Sequence, residues 1–210
     1  MSAAGNSGPE FVRLVQDALD LVRTEGKVIT RADLARATGS SRSKIDRYFP
    51  EEEALFDAVA AAFYQPQVEL MEQVIESDLA PRRKMYEFFA RRYLLQRDDF
   101  RSDPAGFRAL CEVGSEVFEQ VRGYVDLADH YLAMIVAEAQ GDGAMEDLKI
   151  DEALTVINQM VLCYTMPDMI VLLDARLSEQ KLARIVDTIF AGLSGKNGGA
   201  AAVTELRIAG

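Results

Sequence analysis

Apolar residues recur every three to four positions along most of this chain, and no stretch alternates with the two-residue period of a half-buried strand. The first run, Glu10–Glu25, places Phe11, Leu14, Val15, Ala18 and Val22 on one helical face and stops at Gly26. Two much shorter helices follow. Thr30 is a good N-cap, with Asp33 three residues on in a capping-box-like position. Leu34 and Ala35 face inward, and Gly39, which tolerates positive φ, ends the helix. Ser41 caps the second short helix, Arg42–Tyr48, whose apolar face is Ile45, Tyr48 and Phe49. Pro50 stops it and starts the next helix, where Glu51, Glu52 and Glu53 suit a positive helix N-terminus. Helices this short bury a face only by packing across the glycine turn, which is the helix-turn-helix geometry.

The remaining periodicity predicts five or more longer helices. Glu51–Glu76 carries Leu55, Val59, Ala62, Phe63, Met71, Val74 and Ile75, with Pro66 either kinking one helix or separating two. Pro81–Arg97 turns Met85, Phe88, Phe89 and Tyr93 inward, and its charge runs Arg82-Arg83-Lys84 and Arg91-Arg92 read as a solvated face. Asp99–Asp103 reads as a polar connector, Pro104–Val113 as a short helix, and Ser115–Ala139 as a long one striped by Phe118, Val121, Val125, Ala128, Leu132 and Ile135. After Gly141–Gly143 comes Glu152–Leu173, capped by Asp151 and kinked at Pro167. It is apolar on nearly every side, so one side packs on its own body and the other on a second subunit. Ser178 caps a last helix with a single stripe of Leu182, Ile185, Val186, Ile189, Phe190 and Leu193. The fold class is therefore all-α. Residues 1–8 read as a disordered arm, 9–50 as a three-helix head, 51–194 as a larger helical body and 195–210 as a flexible tail.

Net charge sharpens this division. The whole chain carries −11, which alone argues against nucleic acid. Residues 1–50, however, hold eight Lys or Arg against six Asp or Glu, whereas residues 51–210 hold fifteen against twenty-eight. The basic excess lies in the segment that carries the helix-turn-helix. Cys111 and Cys163 sit in apolar helical stretches, as free buried thiols in a reducing cytoplasm. The longest uncharged stretch, Ala153–Pro167, is too short to span a bilayer, and no leader signature opens the chain. The lone His130 leaves no multi-histidine metal site. No paired carboxylates, Ser-His or Cys-His arrangement stands in a catalytic context, so neither an enzyme nor a cofactor is expected.

The head resembles the Tet repressor-like (TetR) family of transcriptional regulators. The resemblance rests on the helix ending in Gly26, on Thr30–Ala35, on Gly39-Ser40-Ser41, Ile45 and Tyr48-Phe49-Pro50, and on Glu53-Ala54-Leu55. It covers about the first quarter of the chain. Three positions depart from the family's pattern. Ser40 stands where an apolar residue is usual, Asp46 where an aromatic is frequent, and Glu52 where a lysine is common. The last two put carboxylates where a phosphate backbone would be repelled.

The resemblance implies a homodimer that binds a double-stranded operator and responds to a small, mostly apolar effector. Thr30, Arg31, Ser41, Arg42, Ser43, Lys44, Arg47 and Tyr48 are the candidate DNA contacts. Tyr86, Phe89, Tyr93, Phe107, Phe118, Tyr131, Met134, Met160, Cys163 and Tyr164 are the candidate lining of the effector space, with Tyr93, His130, Asn158, Gln159 and Tyr164 as its polar groups. Leu182, Ile185, Val186, Ile189 and Phe190 are the candidate dimer interface. The competing reading is a dimeric binding module whose head has lost DNA affinity through Asp46 and Glu52.

Overall fold

Each of the three predicted head helices forms and ends where its local chemistry directs. In the computed structural model, which describes residues 8–199, α1 spans Pro9–Glu25, α2 Arg31–Thr38 and α3 Arg42–Tyr48. Thr30 Oγ1 accepts the Asp33 amide at 3.1 Å, and Asp33 Oδ2 accepts the Thr30 amide at 3.1 Å, completing the capping box. Gly39 closes α2 at φ 63°, a left-handed conformation in which a side chain is strained. Ser41 Oγ accepts the Lys44 amide at 3.3 Å and opens α3.

Seven further α-helices follow among the described residues, with no strand. They are α4 (Glu52–Ile75), α5 (Pro81–Ser102), α6 (Pro104–Glu116), α7 (Phe118–Gly141), α8 (Ile150–Thr165), α9 (Pro167–Leu173) and α10 (Glu179–Leu193). Several boundaries differ from the sequence reading. α4 starts two residues after Pro50 and runs unbroken through Pro66, which removes only one backbone donor from the ladder. α5 continues across the expected connector to Ser102. Asp103 then caps α6, its Oδ1 accepting the Gly106 amide at 3.0 Å. The long apolar helix is two helices bent by 53° about Met166, because the residue before Pro167 is held extended at ψ 119°. Asp151 lies inside the first turn of α8, and the cap position is Lys149.

The chain forms two compact units. Among the described residues, one runs to Gln67 and takes in Asp98–Gly123; the other comprises Val68–Arg97 and residues 124–199. The unit carrying the helix-turn-helix is thus larger than residues 9–50. Its core joins Leu14, Ala18 and Val22 of α1 to Leu34, Ile45, Phe49 and Leu55, and adds Leu110 and Val113 from α6. The second unit has its own core, built from Met85, Phe88, Phe89 and Tyr93 of α5, Leu132, Ile135 and Val136 of α7, Ile157, Val161 and Tyr164 of α8, and Leu182, Val186, Ile189 and Phe190 of α10. Among the described residues no single helix is long and apolar enough to cross a membrane. The expected arm falls almost wholly, and the expected tail mostly, outside the described residues. Of the tail, Lys196–Gly199 forms a 3-10 turn in which the Asn197 amide donates to Asp147 Oδ2 at 3.0 Å.

Phe49 is fully buried, with its ring 5.5 Å from that of Phe11. Phe49→Ala is expected to destabilise the first unit by about 3–5 kcal/mol, read as an early unfolding step in a urea titration followed by tyrosine fluorescence.

Candidate nucleic-acid interface

Helix α3 shows Arg42, Ser43 and Arg47 to solvent, while Ile45 is fully buried and Lys44 and Tyr48 are half-buried. Thr30, the cap of α2, and Ser41, the cap of α3, are exposed. Six of the eight candidate contacts are therefore on α3 or at its cap. Arg31 is not free in the same way. Its backbone amide donates to Glu52 Oε2 at 2.8 Å, its Nε to Glu52 Oε1 at 3.3 Å, and its Nη1 to Asp46 Oδ1 at 3.1 Å and to the Phe49 carbonyl at 3.2 Å. The Pro50 carbonyl accepts from the same Nη1. One guanidinium at the start of α2 therefore ties down the end of α3 and the start of α4. The two carboxylates that depart from the family pattern are its partners, so their charge is offset locally.

A second carboxylate does the same for α3. Lys44 Nζ donates to Glu10 Oε1 at 2.6 Å, Tyr48 Oη donates to Glu10 Oε2 at 2.6 Å, and Arg47 Nη2 lies 3.6 Å from Glu10 Oε2. Arg47 also donates to Tyr48 Oη at 3.1 Å and stacks over its ring. The hydrogen bonds from Lys44 and Tyr48 hold the Glu10 carboxyl down at about 2. Asp33 is likewise lowered, by its hydrogen bonds with Thr30. Elsewhere in this unit Arg23 pairs with Asp99 at 2.9 Å, Lys27 with Glu25 at 2.8 Å and Arg36 with Asp33 at 3.2 Å. Of the eight basic residues in the first fifty, only Arg13 and Arg42 make no ion pair among the described residues. Sequence reasoning counted the charges correctly but missed that most are already matched.

The candidate effector residues are divided between the two units. Phe107 and Phe118 belong to the first unit. Phe107 is buried there against Phe100, with centroids 5.8 Å apart, and Phe118 is 44% exposed. Of the eight in the second unit, Phe89, Tyr93 and Tyr164 are core residues, and the Tyr93 and Tyr164 rings meet edge-on at 5.1 Å. Tyr86, Tyr131 and Cys163 are half-buried, and Tyr131 Oη donates to Glu72 Oε1 at 3.0 Å. Met134 and Met160 point outward, at 38% and 39% exposure. His130 and Gln159 are also exposed, whereas Asn158 Nδ2 donates to Asp129 Oδ1 at 2.9 Å. An apolar cavity of about 70 Å³ lies instead in the first unit, among Leu19 and Val22 of α1, Leu55 and Phe63 of α4, and Leu110 and Val113 of α6. The 3.6-residue pattern gives each of these faces but not their meeting point.

Two basic side chains in the expected solvated runs turn inward. Lys84 is buried and donates to Glu138 Oε1 and to the Ile75 carbonyl, both at 3.0 Å. Arg92 stacks over Phe88, and its Nε is sealed from solvent with no hydrogen-bond partner among the described residues. Burial pushes its guanidinium down to about 10, against the pull of Asp129, so it stays charged at neutral pH. The fully buried Tyr93 hydroxyl also lacks a partner among the described residues.

The residues of the expected dimer stripe pack within their own unit. Leu182, Val186, Ile189 and Phe190 are buried inside the chain's own second unit, and Ile185 packs half-buried against them. In the α8–α9 stretch the exposed large apolar residues are Val156, Met160, Leu162 and Met166 on and just after α8, and Leu172 on α9, which is 71% exposed.

Comparison with known proteins agrees with the fold. The family model described as the Tetracyclin repressor-like C-terminal domain matches residues 81–186. Among solved structures, the chain is similar to the fatty acid degradation regulator FadR from Bacillus halodurans, at 14% identity and TM-score 0.66 over 91% of this chain and 100% of that one. It is also similar to PfmR, a TetR family transcriptional regulator from Thermus thermophilus, at 18% identity and TM-score 0.56 over 87% and 100%. A third similar structure is the probable transcriptional regulatory protein RHA5900, at 13% identity and TM-score 0.51 over 89% and 100%. No curated protein matches. An all-α chain with a capped helix-turn-helix and a Tet repressor-like C-terminal domain defines a class. The chain belongs to the Tet repressor-like family of transcriptional regulators.

The Glu10 contacts give a pH test. A carboxyl whose folded value lies near 2, below its ordinary 4.5, stabilises the fold fully above pH 4.5 and loses that contribution as pH falls toward 2. Urea midpoints measured from about pH 5 down to about pH 2.5 should fall more steeply for the wild type than for Glu10→Gln. Parallel curves would show that the Glu10 contacts do not persist in solution.

Proposed function

We propose that this regulator binds operator DNA sequence-specifically as a two-fold dimer, and that it is a repressor whose DNA affinity is altered by a small, mostly apolar effector held in the second unit. The observation that carries DNA binding is the solvent-facing surface of α3, where Arg42, Ser43, Lys44 and Arg47 stand over a buried Ile45. Side chains of these types read base edges and phosphates from the major groove. A single helix-turn-helix contacts too little DNA to be selective, and two related by a two-fold axis read two half-sites. The exposed apolar residues of α8 and α9 supply the pairing surface, and their burial by a second copy satisfies the all-round apolar character of that stretch.

The pairing of Asp46 and Glu52 with Arg31 favours this reading over the inactive-head alternative. Those carboxylates order the helix-turn-helix rather than standing as uncompensated negative charge. For the effector, the support is the aromatic interior of the second unit together with two donors that have no partner among the described residues, Arg92 Nε and Tyr93 Oη, which suit an apolar molecule bearing an acceptor group. The name of the Bacillus halodurans neighbour, a fatty acid degradation regulator, is consistent with that chemistry.

The test is an anisotropy titration of labelled duplexes from the DNA flanking the protein's own gene. With at most three cations per subunit, Arg42, Lys44 and Arg47, the logarithmic salt slope should be no steeper than roughly −5 per dimer. Equal affinity for a shuffled duplex would remove sequence specificity from the account. Leu172→Asp should shift the protein from dimer to monomer in sedimentation velocity and weaken operator binding by roughly a hundredfold or more, as expected when one of two half-site contacts is lost.

A further inference from the structure

We propose that Glu10 is an internal competitor for the DNA phosphate, occupying the position on α3 that a phosphate takes in the complex. This rests on the DNA-binding reading above and goes beyond it by assigning a role to a residue outside the helix-turn-helix. Three donors from one face of α3 converge on this carboxylate. They are the Lys44 ammonium at 2.6 Å, the Tyr48 hydroxyl at 2.6 Å and the Arg47 guanidinium at 3.6 Å. An ammonium, a guanidinium and a hydroxyl gathered around two anionic oxygens are the donor set that a phosphodiester requires. Glu10 lies in the first turn of α1, where the helix dipole favours an anion, so the carboxylate is held from its own side as well.

The consequence is an exchange rather than a simple addition. For Lys44 and Arg47 to reach phosphates, each must leave or share Glu10, and the released carboxylate then stands near the DNA backbone. Both effects weaken binding. They also flatten its salt dependence, because fewer cations are free to displace counterions. Arg42, with no ion pair among the described residues, is the cation that makes first contact. The half-exposed setting of the cluster keeps the exchange inexpensive, since ion pairs of this kind contribute little on their own. Glu10 thereby sets how tightly the head holds any duplex without altering which base edges α3 presents.

The experiment compares the full-length wild type with Glu10→Gln, using operator and shuffled duplexes at several salt concentrations, with circular dichroism confirming equal helicity. Glu10→Gln should bind operator roughly tenfold more tightly, with a salt slope steeper by about 2 to 4 per dimer for one to two cations released per subunit. Lys44→Gln in the Glu10→Gln background should abolish most of the gain. Glu10→Ala provides the same comparison should the Gln variant lose helicity. Tight binding by the variant where the wild type binds weakly or not at all also supports the inference. Operator binding by the wild type that is unchanged or weakened in both Glu10 variants overturns it and shows that Glu10 positions the cations instead, leaving the DNA-binding reading intact. Failure of wild type and both variants to bind any duplex at low salt overturns the DNA-binding reading itself, and the inference with it.

Discussion

Helices of eight and seven residues cannot hold themselves together, and the helix-turn-helix of this protein is built from two of them. Everything that makes α2 and α3 persist comes from outside their own backbone ladders. Ile45, Leu34 and Phe49 are completely buried, but the atoms that bury them belong in large part to α1, to the start of α4 and to α6. The caps at Thr30 and Ser41 satisfy amides that such short ladders leave open, and the left-handed Gly39 permits the sharp reversal between them. Arg31 completes the arrangement by joining the first residue of α2 to the last turn of α3 and the first turn of α4 through one guanidinium. Because Arg presents a planar fork of donors, lysine at this position could not reach the same set of acceptors.

The same economy governs charge. A strongly acidic chain keeps a basic head, yet most of that head's cations are already matched to carboxylates in the structure. A head of this kind adheres weakly to arbitrary polyanions, since each contact with phosphate must displace an internal partner. Selectivity then depends more on contacts that carry sequence information than on bulk attraction. The departures at Asp46 and Glu52 belong to this pattern, since both carboxylates pair with Arg31.

Local chemistry was legible in the sequence, and long-range partnership was not. Thr30 with Asp33, Gly39, and Ser41 act over three or four residues, so the capping box, the turn and the second cap could be read directly. The all-α class followed from a periodicity that needs only its own helix. In contrast, Arg31 pairs with residues 15 and 21 positions away, and Glu10 with residues 34 to 38 away, distances at which spacing carries no signal. Lys84 shows the same limit. It sits in a basic run that pattern assigns to solvent, yet it turns inward to reach the end of α4 and Glu138. The stripe on α10 was correctly seen as apolar, and most of it is covered by the chain's own second unit; periodicity shows that a face is covered and not by which chain. The candidate effector residues fall in different places for that reason also. Phe107 and Phe118 belong to the first unit, and Met134 and Met160 face outward.

The central claim is that two copies of α3 read two half-sites on one face of a duplex. Hydroxyl-radical footprinting on the DNA flanking the gene tests it most directly. The account predicts two protected segments related by a two-fold axis, with centres about one helical turn, or a whole multiple of it, apart. A single protected segment, protection spread evenly along the DNA, or no protection by a folded dimer would contradict it.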